Sequence, residues 1–467
     1  MTKIGRGGNY HQSDLLTVLQ STRQVTSAIP AILDAPEICF LVDRQPPRSR
    51  FVETGGTIPL LSTTPLELRA DPGEDQILET SQARRALGGF VLSGLLMSFL
   101  GAILPVWGYH LSPDLTAAGN YFLCLNLGIV GSLAASQKLL PRKGIAFTLA
   151  LGCGIACAAF LFLALTSPPA SAIWRAFGLL WLGLAAGLLN ASVFHAISPL
   201  YRHDRASTVN LGGTLFGVGC LVTAVLVAGT YYVYNVSSIL ILFAAVPGLY
   251  TVVFARARFA GQVELPQVPW RQVLDDFRNP GAVLFALLLF FQFGNEWSIA
   301  GWLSLFLIRR LGISPEASIG LLALYWAALL VGRVVAQGVL KRGRHAILLL
   351  GSVVSALLGC GILSFTINLF GACMGILFVA AGFAFIYPLV VEKIANRFPY
   401  YHPGFYNGIF SFAFTGGLLA PWMLGYMAQA WGIQTVMVIP LVGTCVLFLL
   451  VLLILLDARL SGMEERR

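Results

Sequence analysis

The sequence predicts an all-α membrane protein of twelve transmembrane helices, arranged as two six-helix bundles. Three observations predict it. Of the 467 residues, 57% are hydrophobic and only 11% charged, less than half the roughly 25% charged share of soluble domains. From residue 86 the chain falls into twelve apolar runs of 21–28 residues, each long enough to span a bilayer. The longest gap between runs divides them six and six.

Residues 1–84 come first and differ from the rest. They hold "DRQPPRSR" and "ADPGEDQ", and their apolar piece "AIPAILDAPEICFLV" is shorter than the ~20 residues a span needs. A mostly disordered cytoplasmic tail is expected, without a cleavable signal peptide, because no apolar h-region opens the chain. The first bundle, residues 85–255, takes runs 86–109, 116–137, 143–167, 171–198, 207–230 and 235–255. Residues 256–280, "RARFAGQVELPQVPWRQVLDDFRNP", form a cytoplasmic linker. The second bundle, residues 281–456, takes runs 281–308, 316–340, 346–366, 369–394, 404–428 and 433–456, and residues 457–467 form a C-terminal tail. Each run is expected to be a helix, because an open strand cannot satisfy its backbone in lipid.

Charge sets the orientation. Fourteen Lys and Arg fall in the gaps on one side, against Arg175, Arg309 and Arg310 on the other. This bias places both termini in the cytoplasm and the chain in the plasma (inner) membrane. The net charge of +9 is therefore topological and does not point to nucleic acid. Seven of the eight cysteines lie in apolar runs, where cysteine packs as a small hydrophobe. No metal site, cofactor or enzyme motif is legible.

The halves echo each other. "GSLAASQKLLPRKG" begins at Gly131, and "GRVVAQGVLKRGR" begins at Gly332, 201 residues later. Asn210 and Gly219 recur as Asn407 and Gly416, at an offset of 197. Duplicated six-helix units are how many transporters are built, with the site near the midplane between the repeats.

Inside the seventh run, "FFQFGNEWSIAGWLSLFL" carries Glu296, an acid where ionisation costs on the order of 3 kcal/mol. Gln292 lies one turn before it on the same face, with Asn295 and Trp302 adjoining. Acid and amide groups can pair with hydroxyls, and an indole can stack on a ring face. Asn126 in the second run and Asn190 in the fourth could line the same cavity or bond a neighbouring helix. Phe410 and Phe414 could be packing or contacts, and Tyr325 and Trp326 could face the cavity or the lipid. Gly213, Gly217, Gly416 and Gly417 permit close helix crossing.

These features resemble the major facilitator superfamily over about residues 86–456. "GRVVAQGVLKRGR" is similar to its glycine–arginine loop signature, which implies that Gly131, Gly332 and Arg333 belong to gating loops, Arg333 as a loop cap. In the first copy Ala135 stands where the signature has an aspartate. "FGNEWSIAGWLSLFL" resembles the G-x-E-x-x-x-x-G-W pattern of the fucose:proton symporter family and its sodium-dependent glucose transporter-like branch, at Gly294, Glu296, Gly301 and Trp302. That group often carries acids in helices 1 and 4. Here helix 4 has Asn190, so its proton-coupling scheme does not carry over. Helix 5, "FGVGCLVTAVLVAG", lacks the Gly-Pro motif of drug-efflux branches.

The resemblance implies a monomeric secondary transporter, not an enzyme. It would move a small polar organic solute, such as a sugar, inward with a proton or a sodium ion by alternating access. Glu296, Gln292, Asn295, Trp302, Asn126 and Asn190 are the candidate binding or coupling residues. Two alternatives stay open: an exporter of drug-like or metabolite compounds, and a non-transporting membrane sensor or scaffold.

Overall fold

The computed structural model describes residues 84–112, 114–197, 205–257, 259, 279–340, 345–398 and 403–460. The expected N-terminal tail up to residue 83, most of the linker and residues 461–467 lie outside them, as do Arg202, Arg258, Arg271, Arg278, Lys341, Arg342 and Arg344 from the basic count.

Eleven helices among the described residues are long and apolar enough to cross a bilayer. The longest, Leu115–Leu165, is broken by Gly144 at φ 82°, ψ 174°, a backbone open to glycine and strained for other residues. It counts as two, so the twelve are α1 (Gly88–Val106), α2 (115–143), α3 (145–165), α4 (Ala172–Ala196), α5 (Arg205–Thr230), α6 (Val236–Ala255), α7 (Pro280–Leu311), α8 (Pro315–Leu340), α9 (His345–Phe365), α10 (Leu369–Arg397), α11 (Pro403–Trp431) and α12 (Thr435–Leu460). The sequence placed a gap at residues 138–142; helix runs through it, and the chain turns at Gly144 instead.

Polar residues at the connections fix where helices start and stop. Asn235, Asn279 and Asn368 accept backbone amides at the starts of α6, α7 and α10, satisfying donors a helix leaves orphaned. Asp114 does the same for α2; the Thr116 hydroxyl (2.6 Å) and the Ala117 amide (3.0 Å) hold its carboxyl below the usual range. Gly312, at φ 66°, closes α7.

Within the first set, α1 packs on α5, α2 and α3 on α4, and α3 on α6; in the second, α7 packs on α11, α8 and α9 on α10, and α9 on α12. The pattern repeats with an offset of six helices. Its glycine crossings between the first and fifth helix of each set repeat as well. A Cβ on Gly94 would strike the Phe216 carbonyl and one on Gly219 the Val91 carbonyl, welding α1 to α5. In the second set, Gly294 faces the Gly416 carbonyl, and a Cβ on Gly416 would strike that of Phe290. The two sets meet through α5–α8, α2–α11 and α1–α7. Large apolar side chains such as Leu165, Ile173, Phe370 and Leu453 are exposed, as a lipid-facing perimeter requires.

Candidate functional site

The site is built on α7 and α8 where they meet α5. Glu296 Oε1 accepts from Arg333 Nη2 at 3.0 Å, and Glu296 Oε2 accepts from Gln292 Nε2 at 3.3 Å. Arg333 Nη1 donates to the Gly213 carbonyl of α5 at 2.8 Å, and Asn210 Nδ2 of α5 donates to the Arg333 carbonyl at 3.2 Å. Glu296 and Arg333 are only 4% and 7% exposed. Burying two charges is tolerable when they pair closely and further hydrogen bonds serve their remaining atoms. Arg333 is therefore an interior residue, joining the acid of one bundle to the backbone of the other. The sequence had it as a loop cap. The signal for its true place was available: an acid deep in a span needs a counter-charge, and Arg333 falls inside the 316–340 run.

Aromatic rings surround this pair. Trp297 packs against Phe216 of α5 at 5.9 Å and Trp326 of α8 at 6.3 Å, and Tyr325 lies 5.2 Å from Trp326. Tyr325 and Trp326 are sealed inside the protein, not turned to lipid. Trp297 also lines a small cavity between the bundles with Met97, Phe122, Asn126, Phe414 and Leu418. Its volume is about 20 Å³, room for about one water and far too little for a sugar.

The other candidates disperse. Asn126 borders the cavity, and its amide donates across the bundles to the Leu418 carbonyl. Asn295 turns away to α12, donating to Thr444 Oγ1 at 3.2 Å. Asn190 stays inside the first bundle, accepting from Ser93 at 2.7 Å. Trp302 donates to the Pro421 carbonyl at 2.9 Å and packs on Phe122 at 5.8 Å, bracing α7 against α11 and α2. Phe410 packs on Tyr387. Gly332 crosses α10 at Ala384, whereas Gly131, its sequence counterpart, is exposed with open space around it.

Sequence reasoning missed a second polar cluster, at the end of the molecule where α1 joins α2. Arg175 of α4 is buried, donating to Tyr121 Oη at 2.9 Å and to the Ala170 carbonyl at 2.7 Å. Its guanidinium sits over the rings of Trp107 and Tyr121, 5.8 and 5.9 Å from their centroids. Those π faces offset its charge. Arg309 of α7 reaches the same connection, donating to the carbonyls of Tyr109 and Ser112.

Comparison with known proteins then decides the family. The sequence profile of the Major Facilitator Superfamily matches residues 25–224 and 197–417, most of the chain. The chain belongs to the Major Facilitator Superfamily. It is thus a membrane transporter and not an enzyme. It is 24% identical over 374 residues to an uncharacterised MFS-type transporter of Yersinia pestis, covering 79% of this chain and 93% of that protein. Its fold is like that of a mutant of the nucleoside transporter NupG, at a TM-score of 0.61 and 15% identity over 79% of this chain and 99% of that one. It is also like FucP, an MFS transporter in the outward conformation, at a TM-score of 0.55 and 15% identity over 81% and 99%.

Proposed function

We propose that this MFS transporter carries a small polar organic solute, a sugar being the first class to test, inward with a proton or a sodium ion. It works as a monomer in the plasma (inner) membrane with both termini and the central linker cytoplasmic. The observation that carries the reading is the buried Glu296–Arg333 pair, whose arginine also holds the Gly213 carbonyl of the opposite bundle. A cation arriving at Glu296 competes with Arg333 for the carboxylate. Arg333 then loses its charge partner, and its hold on α5 changes with it. Ion occupancy is in this way linked to the contact between bundles, which alternating access must make and break.

Glu296→Gln tests this, because it keeps shape and hydrogen bonding but cannot ionise. In vesicles, gradient-driven uptake of the solute should be lost while exchange with the gradient collapsed survives. Normal uphill uptake by the variant, at normal expression, would remove Glu296 from the coupling role. The largely apolar lining of the small cavity favours one second reading, efflux of drug-like or metabolite compounds. It predicts that the same gradient drives solute out of the cell.

A further inference from the structure

Three polar atoms beside the Glu296–Arg333 pair have no hydrogen-bond partner among the described residues: Gln292 Oε1, the Tyr325 hydroxyl and Trp326 Nε1. Their side chains are sealed, at 0%, 0% and 1% exposure. Folded proteins pair nearly all their buried polar groups, so three unpaired ones together call for a reason. They form one set. Gln292 is bonded through its other amide atom to Glu296. Tyr325 lies within electrostatic range of both Glu296 and Arg333. Trp326 packs edge-on to Tyr325 and to Trp297, and Trp297 lines the cavity between the bundles.

The set has a definite chemistry. Gln292 Oε1 accepts, Trp326 Nε1 donates, and the Tyr325 hydroxyl does either. Its acid is matched by its guanidinium. A solute bearing a carboxylate or an ammonium would bring an unmatched charge into low dielectric, which is costly. A solute without hydroxyls would leave the three groups unpaired, the loss by which polar sites reject apolar analogues.

We propose that Gln292, Tyr325 and Trp326 select an uncharged, hydroxyl-bearing solute, which donates to Gln292 Oε1 and accepts from Trp326 Nε1, with Tyr325 fixing its orientation. The proposal rests on the reading of this region as the transport site and names what that site takes.

The test is equilibrium binding to the purified full chain in detergent, with no gradient. The probes are three pools: glucose, galactose and mannitol; glucuronate and galacturonate; glucosamine and galactosamine. Melting temperature and tryptophan fluorescence are read for each. A shift is expected from the uncharged pool, by mass action. Tyr325→Phe and Trp326→Phe should each weaken that binding about tenfold, the worth of one hydrogen bond. With no probe added, Tyr325→Phe should melt at or above the wild-type temperature, since it deletes a polar atom that bonds nothing in the protein.

A lower melting temperature for Tyr325→Phe alone overturns the proposal, because the hydroxyl then has a structural partner. So does a shift confined to the charged pools, a shift of equal size in the variants, or no shift from any pool. Binding is measured without a gradient, so a failure of coupling at Glu296 would show only in vesicle uptake and is distinguishable from a failure here.

Discussion

Glu296 and Arg333 stand 37 residues apart in the chain and meet at 3.0 Å inside the membrane. Removing either partner strands the other. Arg333→Ala should therefore destabilise the protein by about 3–5 kcal/mol, whereas the double variant Glu296→Gln/Arg333→Leu should regain most of that loss. Thermal unfolding in detergent decides it, and a double variant no better than Arg333→Ala would show that the pair is not an isolated unit. At this scale the sequence was half legible. Glu296 stood out because an acid is conspicuous in an apolar run. What each neighbour touches was not legible, because that depends on which helix packs alongside. Asn295 is adjacent to Glu296, yet one residue turns a helix by about 100°, and that rotation delivers its amide to Thr444 on α12. Arg175 was counted as one exterior charge, since nothing local announces that two tyrosines and a tryptophan will close over it.

Among the elements, the glycine crossings do the joining. Helix pairs in lipid gain little from hydrophobic burial and depend on close backbone approach. Gly416→Ala puts a methyl against the Phe290 carbonyl, a backbone group that cannot swing aside. It should cost about 1–3 kcal/mol as overpacking. Gly351→Ala, on an exposed stretch of α9 with nothing within 4 Å, should instead be neutral or stabilising by up to ~1 kcal/mol. Melting temperatures of the two variants in the opposite order would contradict the account. The elements were the most legible level: all twelve apolar runs fall on helices, because an 11% charged chain leaves few other places for its polar residues. The α2–α3 boundary moved because "SQKLLPRK" is compatible with helix, and only the positive φ of Gly144 ends it.

At the scale of the molecule, several polar contacts between bundles among the described residues lie at the end where α1 joins α2. Besides Arg309 on the carbonyls of Tyr109 and Ser112, Gln429 accepts from the Leu115 amide at 2.8 Å, Tyr426 donates to Asn120 at 2.8 Å, and Ser304 donates to the Gly101 carbonyl at 2.7 Å. These bonds hold that end shut. The double variant Arg309→Ala/Gln429→Ala should loosen it. A cysteine replacing the cavity residue Phe414 should then react faster with an impermeant thiol reagent supplied from that side, and no faster from the other. Equal rates from that side with and without the variant would make the contacts incidental. The two-bundle plan was legible as offsets near 200 residues, and the glycine crossings repeat in register with them. The contacts between the bundles were not, because they depend on which helices meet across the interface.

The cavity of about 20 Å³ has a bioenergetic consequence. A proton crosses protein rapidly along a file of hydrogen-bonded waters, and a space for about one water cannot hold such a file between Asn126 and Trp297. A constriction of that size gives protons no continuous water path between the bundles at that level. Close packing of α1, α2, α7 and α11 there is therefore as much a guard on the ion gradient as a part of moving solute.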